Sequence, residues 1–145
     1  IGHCAEVYSE TGKAAVPAGK TRTNAERNAV MPITVRLAAE ADADIIADFN
    51  RAMAQETEHK TLDADTVRAG VRGLLARPNF GAYRVAELDG RVAGCLLVTF
   101  EWSDWRNGVF WWIQSVYVHP DFRRRGVFKA MYRAVEAEAR ADTQV

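Results

Sequence analysis

Val116-Tyr-Val-His-Pro-Asp-Phe-Arg-Arg-Arg-Gly-Val-Phe-Lys-Ala-Met-Tyr132 is the stretch on which the fold turns. An apolar strand enters a short turn at His119-Pro120, passes three arginines and Gly126, and continues as an amphipathic helix. The N–H groups of Arg124, Arg125, Gly126, Val127 and Phe128 fall at the positive end of that helix, where backbone donors converge on an anion. Arg123, Arg124 and Arg125 add guanidinium groups suited to charge-assisted bonds. The order strand, basic turn, helix therefore points to a phosphorylated ligand.

Upstream, the pattern alternates between the two regular structures. Ile33-Thr-Val-Arg-Leu37 alternates apolar and polar residues as a half-buried strand does. Ile45, Ile46, Phe49 and Met53 share one helical face between Asp42 and Gln55. Asp63 is placed to cap a second helix with Val67, Val71, Leu74 and Leu75 inward, and Pro78 closes it. Strands are expected at Ala82–Leu88, Arg91–Trp102 and Val109–Val118. Asp89-Gly90 makes the first hairpin turn, and a longer turn over Ser103–Gly108 makes the second. A last helix is expected over Gly126–Ala141, with Val127, Met131 and Val135 on one face joined by Phe128, Tyr132 and Ala134. The predicted order is β-α-α-β-β-β-α.

A chain of 145 residues, 48% of them hydrophobic, suits one globular domain with a real core. Nineteen basic and nineteen acidic residues cancel, so neither nucleic acid nor an anionic membrane is an expected partner. Cys4 and Cys95 are far apart and carry no metal-ligand spacing around them, so no metal is expected. Cys95 sits in an apolar run and reads as a buried reduced thiol. With no bilayer-length apolar segment and no leader pattern, a cytoplasmic setting is expected. Residues 1–30 lack sustained apolar periodicity and read as a disordered or non-native leader, with Met31 opening a domain over residues 31–145.

Val118, Pro120, Arg123 and Gly126 reproduce the pattern V-x-P-x-x-[RQ]-x-x-G-x-[GA], with Phe128 in its last place. In this the chain resembles the GNAT N-acetyltransferase superfamily, over about Met31 to Val145. The resemblance implies an α/β (α+β) GNAT-like acyl-CoA N-acyltransferase fold, a mixed and mostly antiparallel sheet flanked by helices. It implies acetyl-CoA as co-substrate and an amine (small molecule, peptide N-terminus or lysine) as acceptor. Family members continue with a fifth strand, a fourth helix and a final hairpin, so this chain is expected to be a partial domain lacking those elements. The cofactor would meet Val116, Tyr117 and Val118 through main-chain groups paired as though adding a strand, and Arg123 to Phe128 at its diphosphate.

Acetyl transfer requires deprotonation of the amine, stabilisation of the thioester oxygen and a proton for the departing thiolate. The resemblance implies that an N–H near Val116 polarises the thioester. It also implies a carboxylate base in some relatives at the position held here by Gln114, whose amide can orient an amine but cannot take its proton. The general acid in many relatives is a tyrosine on the later helix. Among carboxylates, Glu101 is the candidate base, with Asp104, Glu56 and Glu58 as candidates for the acceptor wall. His119 reads as structural, and His59 is uninformative. Trp102, Trp105, Trp111 and Trp112 gather on one hairpin, and one of Trp111 and Trp112 is expected in the core. A free sheet edge leaves a homodimer open. The competing readings are a CoA-binding module or inactive fragment, favoured by Gln114 and Phe128, and a phosphate or nucleic-acid binder, disfavoured by the neutral charge.

Overall fold

The computed structural model describes residues 32–142, so the readings of residues 1–30, of Cys4 and Met31 and of the final Thr143-Gln-Val lie outside the described residues. The elements run β1 (Thr34–Leu37), α1 (Ala43–Glu58), α2 (Ala64–Leu75), β2 (Gly81–Leu88), β3 (Arg91–Ser103), β4 (Gly108–Val118) and α3 (Val127–Ala141), in the expected order. Four strands form one antiparallel sheet in the order β1-β2-β3-β4. The turn between β2 and β3 has Asp89 at φ 55° and Gly90 at φ 72°. Both are left-handed, as a two-residue hairpin that follows the strand twist requires.

The alternation of side chains divides the sheet into two apolar faces. On one, α1 and α2 pack Ala43, Ile46, Ala47, Phe49 and Val71 against Tyr83, Val85, Cys95 and Tyr117. On the other, α3 packs Val127, Met131 and Val135 against Ala86, Leu88, Leu96 and Val98. Full burial of Ile46, Leu96 and Met131 stabilises the fold by roughly 1.5–3 kcal/mol each. Trp111 joins the α3 side against Phe100 at 5.1 Å, whereas Trp112 is exposed, so one of the pair enters the core. Phe128 and Tyr132 depart from the expectation for α3. They stand exposed and face each other at 6.2 Å on its outer flank, because Val127, Met131 and Val135 already fill the width the sheet offers. Arg84 is buried beneath α3, pairs with Glu138 on that helix and lies 5.7 Å from the Trp111 ring.

Two carboxylates shape the start of the α1–α2 layer. Asp63 caps α2 by accepting the Thr66 N–H at 2.8 Å, as its position before the helix predicts. Asp42 is buried and accepts from Arg36 at 2.7 and 2.9 Å and from the Ala39 N–H at 2.7 Å. The Arg36 guanidinium holds the Asp42 carboxyl below its ordinary value, outweighing the opposing effect of burial. A depressed folded value stabilises the protein above the unfolded carboxyl range, near pH 4, and that contribution is lost as pH falls below it. Asp42→Asn is therefore expected to cost about 2–3 kcal/mol at neutral pH and to flatten the loss of stability below about pH 4. Urea unfolding across pH checks this, and parallel pH profiles for variant and wild type would refute it.

Candidate functional site

The site begins where β4 leaves regular pairing. Leu97 faces Ser115 and Val98 faces Ile113, so Gln114 is an extra residue with no partner on β3. Such a bulge bends the strand and interrupts its ladder. Beside it a cleft of about 560 Å³ opens between α1, the α1–α2 loop and the sheet. Gln114 and Ser115 line its sheet side, and Asn50, Thr57, Glu58 and Lys60 line the opposite wall. Glu58 and Lys60 pair at 2.7 Å, which lowers the carboxyl of Glu58 and raises the amine of Lys60. Asn50 donates to the Tyr83 hydroxyl at 3.1 Å, and burial pushes that phenol upward.

Below the bulge, β4 is the last strand of the described sheet, and it runs into the basic turn. His119 caps the short 3-10 turn Pro120–Phe122, accepting the Asp121 N–H at 3.3 Å. Phe122 is buried there and anchors the turn. Arg124 (φ 61°) and Gly126 (φ 86°) are both left-handed, and they tighten the path into α3. Gly126 is the N-cap of α3 and brings no side chain to satisfy the first turn. The first bond of that turn is Ala130 N–H to Gly126 C=O at 3.0 Å, so the N–H groups of Val127, Phe128 and Lys129 precede it and remain for a ligand or water.

The three arginines part company. Arg123 donates through Nε to the Val118 carbonyl at 2.9 Å and through Nη2 to Glu56 at 2.7 Å, and lies 5.5 Å from the Tyr117 ring. Arg125 donates to Asp89 at 2.9 Å and lies over Phe122 at 5.6 Å. Arg124 is exposed, and its side chain has no partner among the described residues.

The expected carboxylates separate as well. Glu58 reaches the cleft with Gln114, but Glu56 does not line it. Glu56 instead accepts from Arg123 and from the Tyr117 hydroxyl at 3.0 Å, both of which hold its carboxyl low. Glu101 lies four residues beyond Leu97 on the same face, about 13 Å along the strand, and accepts the Trp112 indole N–H at 2.7 Å. Direct proton transfer needs hydrogen-bond reach, so this position does not suit a base acting beside Gln114. Asp104 accepts the Trp105 N–H at 2.9 Å in the exposed β3–β4 turn, away from the cleft. Ser115, Lys60 and the Asn50–Tyr83 pair were not foreseen from the sequence. Ser115, next to Gln114, was within reach of inspection, while the others depend on contacts across the fold.

Among the described residues no three His, Cys, Asp or Glu side chains gather to hold a metal, and no helix is long and apolar enough to cross a membrane. Residues 43–145 match the Acetyltransferase (GNAT) family. The chain belongs to that family. A possible acetyltransferase from Clostridium difficile 630 is similar at 42% identity and TM-score 0.74, over 78% of this chain and 74% of that one. A ribosomal-protein-alanine N-acetyltransferase from Brucella melitensis biovar Abortus 2308 shares the fold at 19% identity and TM-score 0.63, over 76% and 73%. A predicted acetyltransferase with acetyl-CoA from Clostridium acetobutylicum does so at 19% identity and TM-score 0.62, over 76% and 75%. No curated protein matches the chain in sequence.

The GNAT motif turn depends on a left-handed Gly126. A Cβ there would meet only the Ile33 side chain, at 3.9 Å, so the penalty of substitution is conformational rather than steric. Gly126→Ala is expected to destabilise the protein by about 1–2 kcal/mol, read as a lower urea midpoint. An unchanged midpoint would show that the turn is not held in this shape.

Proposed function

We propose that this GNAT protein transfers an acetyl group from acetyl-CoA to a primary amine. The observation that carries the reading is the uncapped start of α3, with donors from Val127, Phe128 and Lys129 beside the unpartnered Arg124. A diphosphate needs several donors without a long side chain between them and the anion, and the residues present fit that need. Phe128 fits as well, because its ring lies on the outer flank of α3 with Tyr132 while its amide stays in the first turn. Val116, Tyr117 and Val118 would hold the pantetheine arm along the outer side of β4.

Acetyl-CoA supplies an activated thioester, and this chain's own residues do the rest. The main chain at Val116 would stabilise charge on the thioester oxygen. The Gln114 amide oxygen would accept an N–H of the acceptor and aim its lone pair. Glu58 faces the cleft with its carboxylate lowered and neutralised by Lys60, so it would offer the acceptor a hydrogen-bond acceptor on the wall and not a base. In the transfer the N–C bond forms and the C–S bond breaks. The proton lost by the amine passes to water, and the thiolate takes one from solvent. A CoA-binding module without turnover is the second reading. It is favoured by Gln114, since no carboxylate stands on the bulge itself.

Thiol release from acetyl-CoA in the presence of a panel of amines separates the two. Release with at least one amine supports transfer, and binding without release supports the module. Arg124→Ala is expected to weaken acetyl-CoA binding by about 1.5–3 kcal/mol in calorimetry. Equal affinity in variant and wild type would remove Arg124 from the site.

A further inference from the structure

Glu56 lies in the last turn of α1, two residues before Glu58 on the cleft wall. One of its carboxylate oxygens accepts from the Tyr117 hydroxyl at 3.0 Å and the other from the Arg123 guanidinium at 2.7 Å. The end of α1, the edge strand β4 and the turn into α3 therefore meet on one carboxylate. The joint rests on core, for Tyr117 is buried with its ring 5.2 Å from Phe49. Arg123 is also tied to the Val118 carbonyl at 2.9 Å, so both its Nε and its Nη2 are engaged by protein groups. A negative side chain next to an anion site opposes binding unless its charge is already neutralised. Here Arg123 neutralises it, and the guanidinium next along the chain, Arg124, is left unpartnered.

We propose that Glu56 is a positioning residue for the cofactor site. Its carboxylate clasps Arg123 and Tyr117 and thereby sets residues 123–126 in the shape that presents the first N–H groups of α3 and the Arg124 guanidinium to a diphosphate. Arg123 acts through this clasp and is not itself a ligand of the anion. The same carboxylate ties the cofactor turn to the helix that carries the acceptor wall. The proposal rests on the acetyl-CoA reading above.

Two measurements on the full chain test it. Hydrogen exchange without ligand reads the clasp alone: Glu56→Gln should accelerate exchange at His119, Phe122 and Arg123, whose N–H groups are bonded in and beside the turn, and leave the β2–β3 core unchanged. Calorimetry with acetyl-CoA reads its consequence. Glu56→Gln and Arg123→Ala should each weaken binding about tenfold, and the double variant should be no weaker than either one, since both break a single joint. Unchanged local exchange, unchanged affinity in Glu56→Gln, or additive losses would each overturn the proposal while wild-type binding upholds the acetyl-CoA reading. Failure of the wild type to bind acetyl-CoA would overturn that reading and the proposal with it, even where exchange accelerates.

Discussion

A helix needs acceptors for the N–H groups of its first turn, and a chain can supply them from within or leave them for something else. This protein does both. At α2 the Asp63 carboxylate sits on the Thr66 N–H and the end is closed. At α3 the N-cap is a left-handed glycine, which contributes nothing to its own first turn. The partial positive charge there is reinforced by Arg124 and held in place from below by Val127, Met131 and Val135, which pin the helix to the sheet. A donor array on a helix free to tilt would bind poorly. One fixed by buried side chains and by the Arg84–Glu138 pair does not need to be organised by its ligand.

Two breaks in regular structure produce the site, and both occur along β4. The bulge at Gln114 turns the strand away from its ladder and opens the cleft beside α1. Beginning six residues later, the 3-10 turn Pro120–Phe122 and then the left-handed Arg124 lead the chain into α3. Between them lie Val116, Tyr117 and Val118, still paired with β3 on one side. On the proposed reading one strand thus links the acceptor cleft to the anion site, and the length between the two is set by its own extended backbone. Membership of the GNAT family agrees with the fold, and the geometry gives a physical reason for Gly126 in the motif.

Much of the fold was legible because its signals are local. Asp89-Gly90 announced a hairpin since left-handed backbone is tolerated there, and Asp63 announced a cap because its carboxylate needs only to reach three residues ahead. The turn between β4 and α3 was legible for the same reason. What escaped were contacts between distant parts of the chain. Glu56 and Arg123 are 67 residues apart, and nothing in either segment marks the other as partner. Nothing in the segment around Glu101 shows that the register sets it well beyond the bulge, beside Trp112. The bulge was invisible because it belongs to the pairing of two strands and not to β4 alone. Apolar character alone places Phe128 and Tyr132 inward, but a helix buries only the arc its sheet can cover.

The central claim is that backbone donors at the start of α3 grip a diphosphate. Amide NMR shifts compared for coenzyme A and for pantetheine, which lacks that group, test it most directly. Coenzyme A is expected to move the Val127, Phe128 and Lys129 amides strongly, whereas pantetheine leaves them in place and shifts only β4 residues near Val116. Equal responses to both ligands, or no response at those three amides, would contradict it.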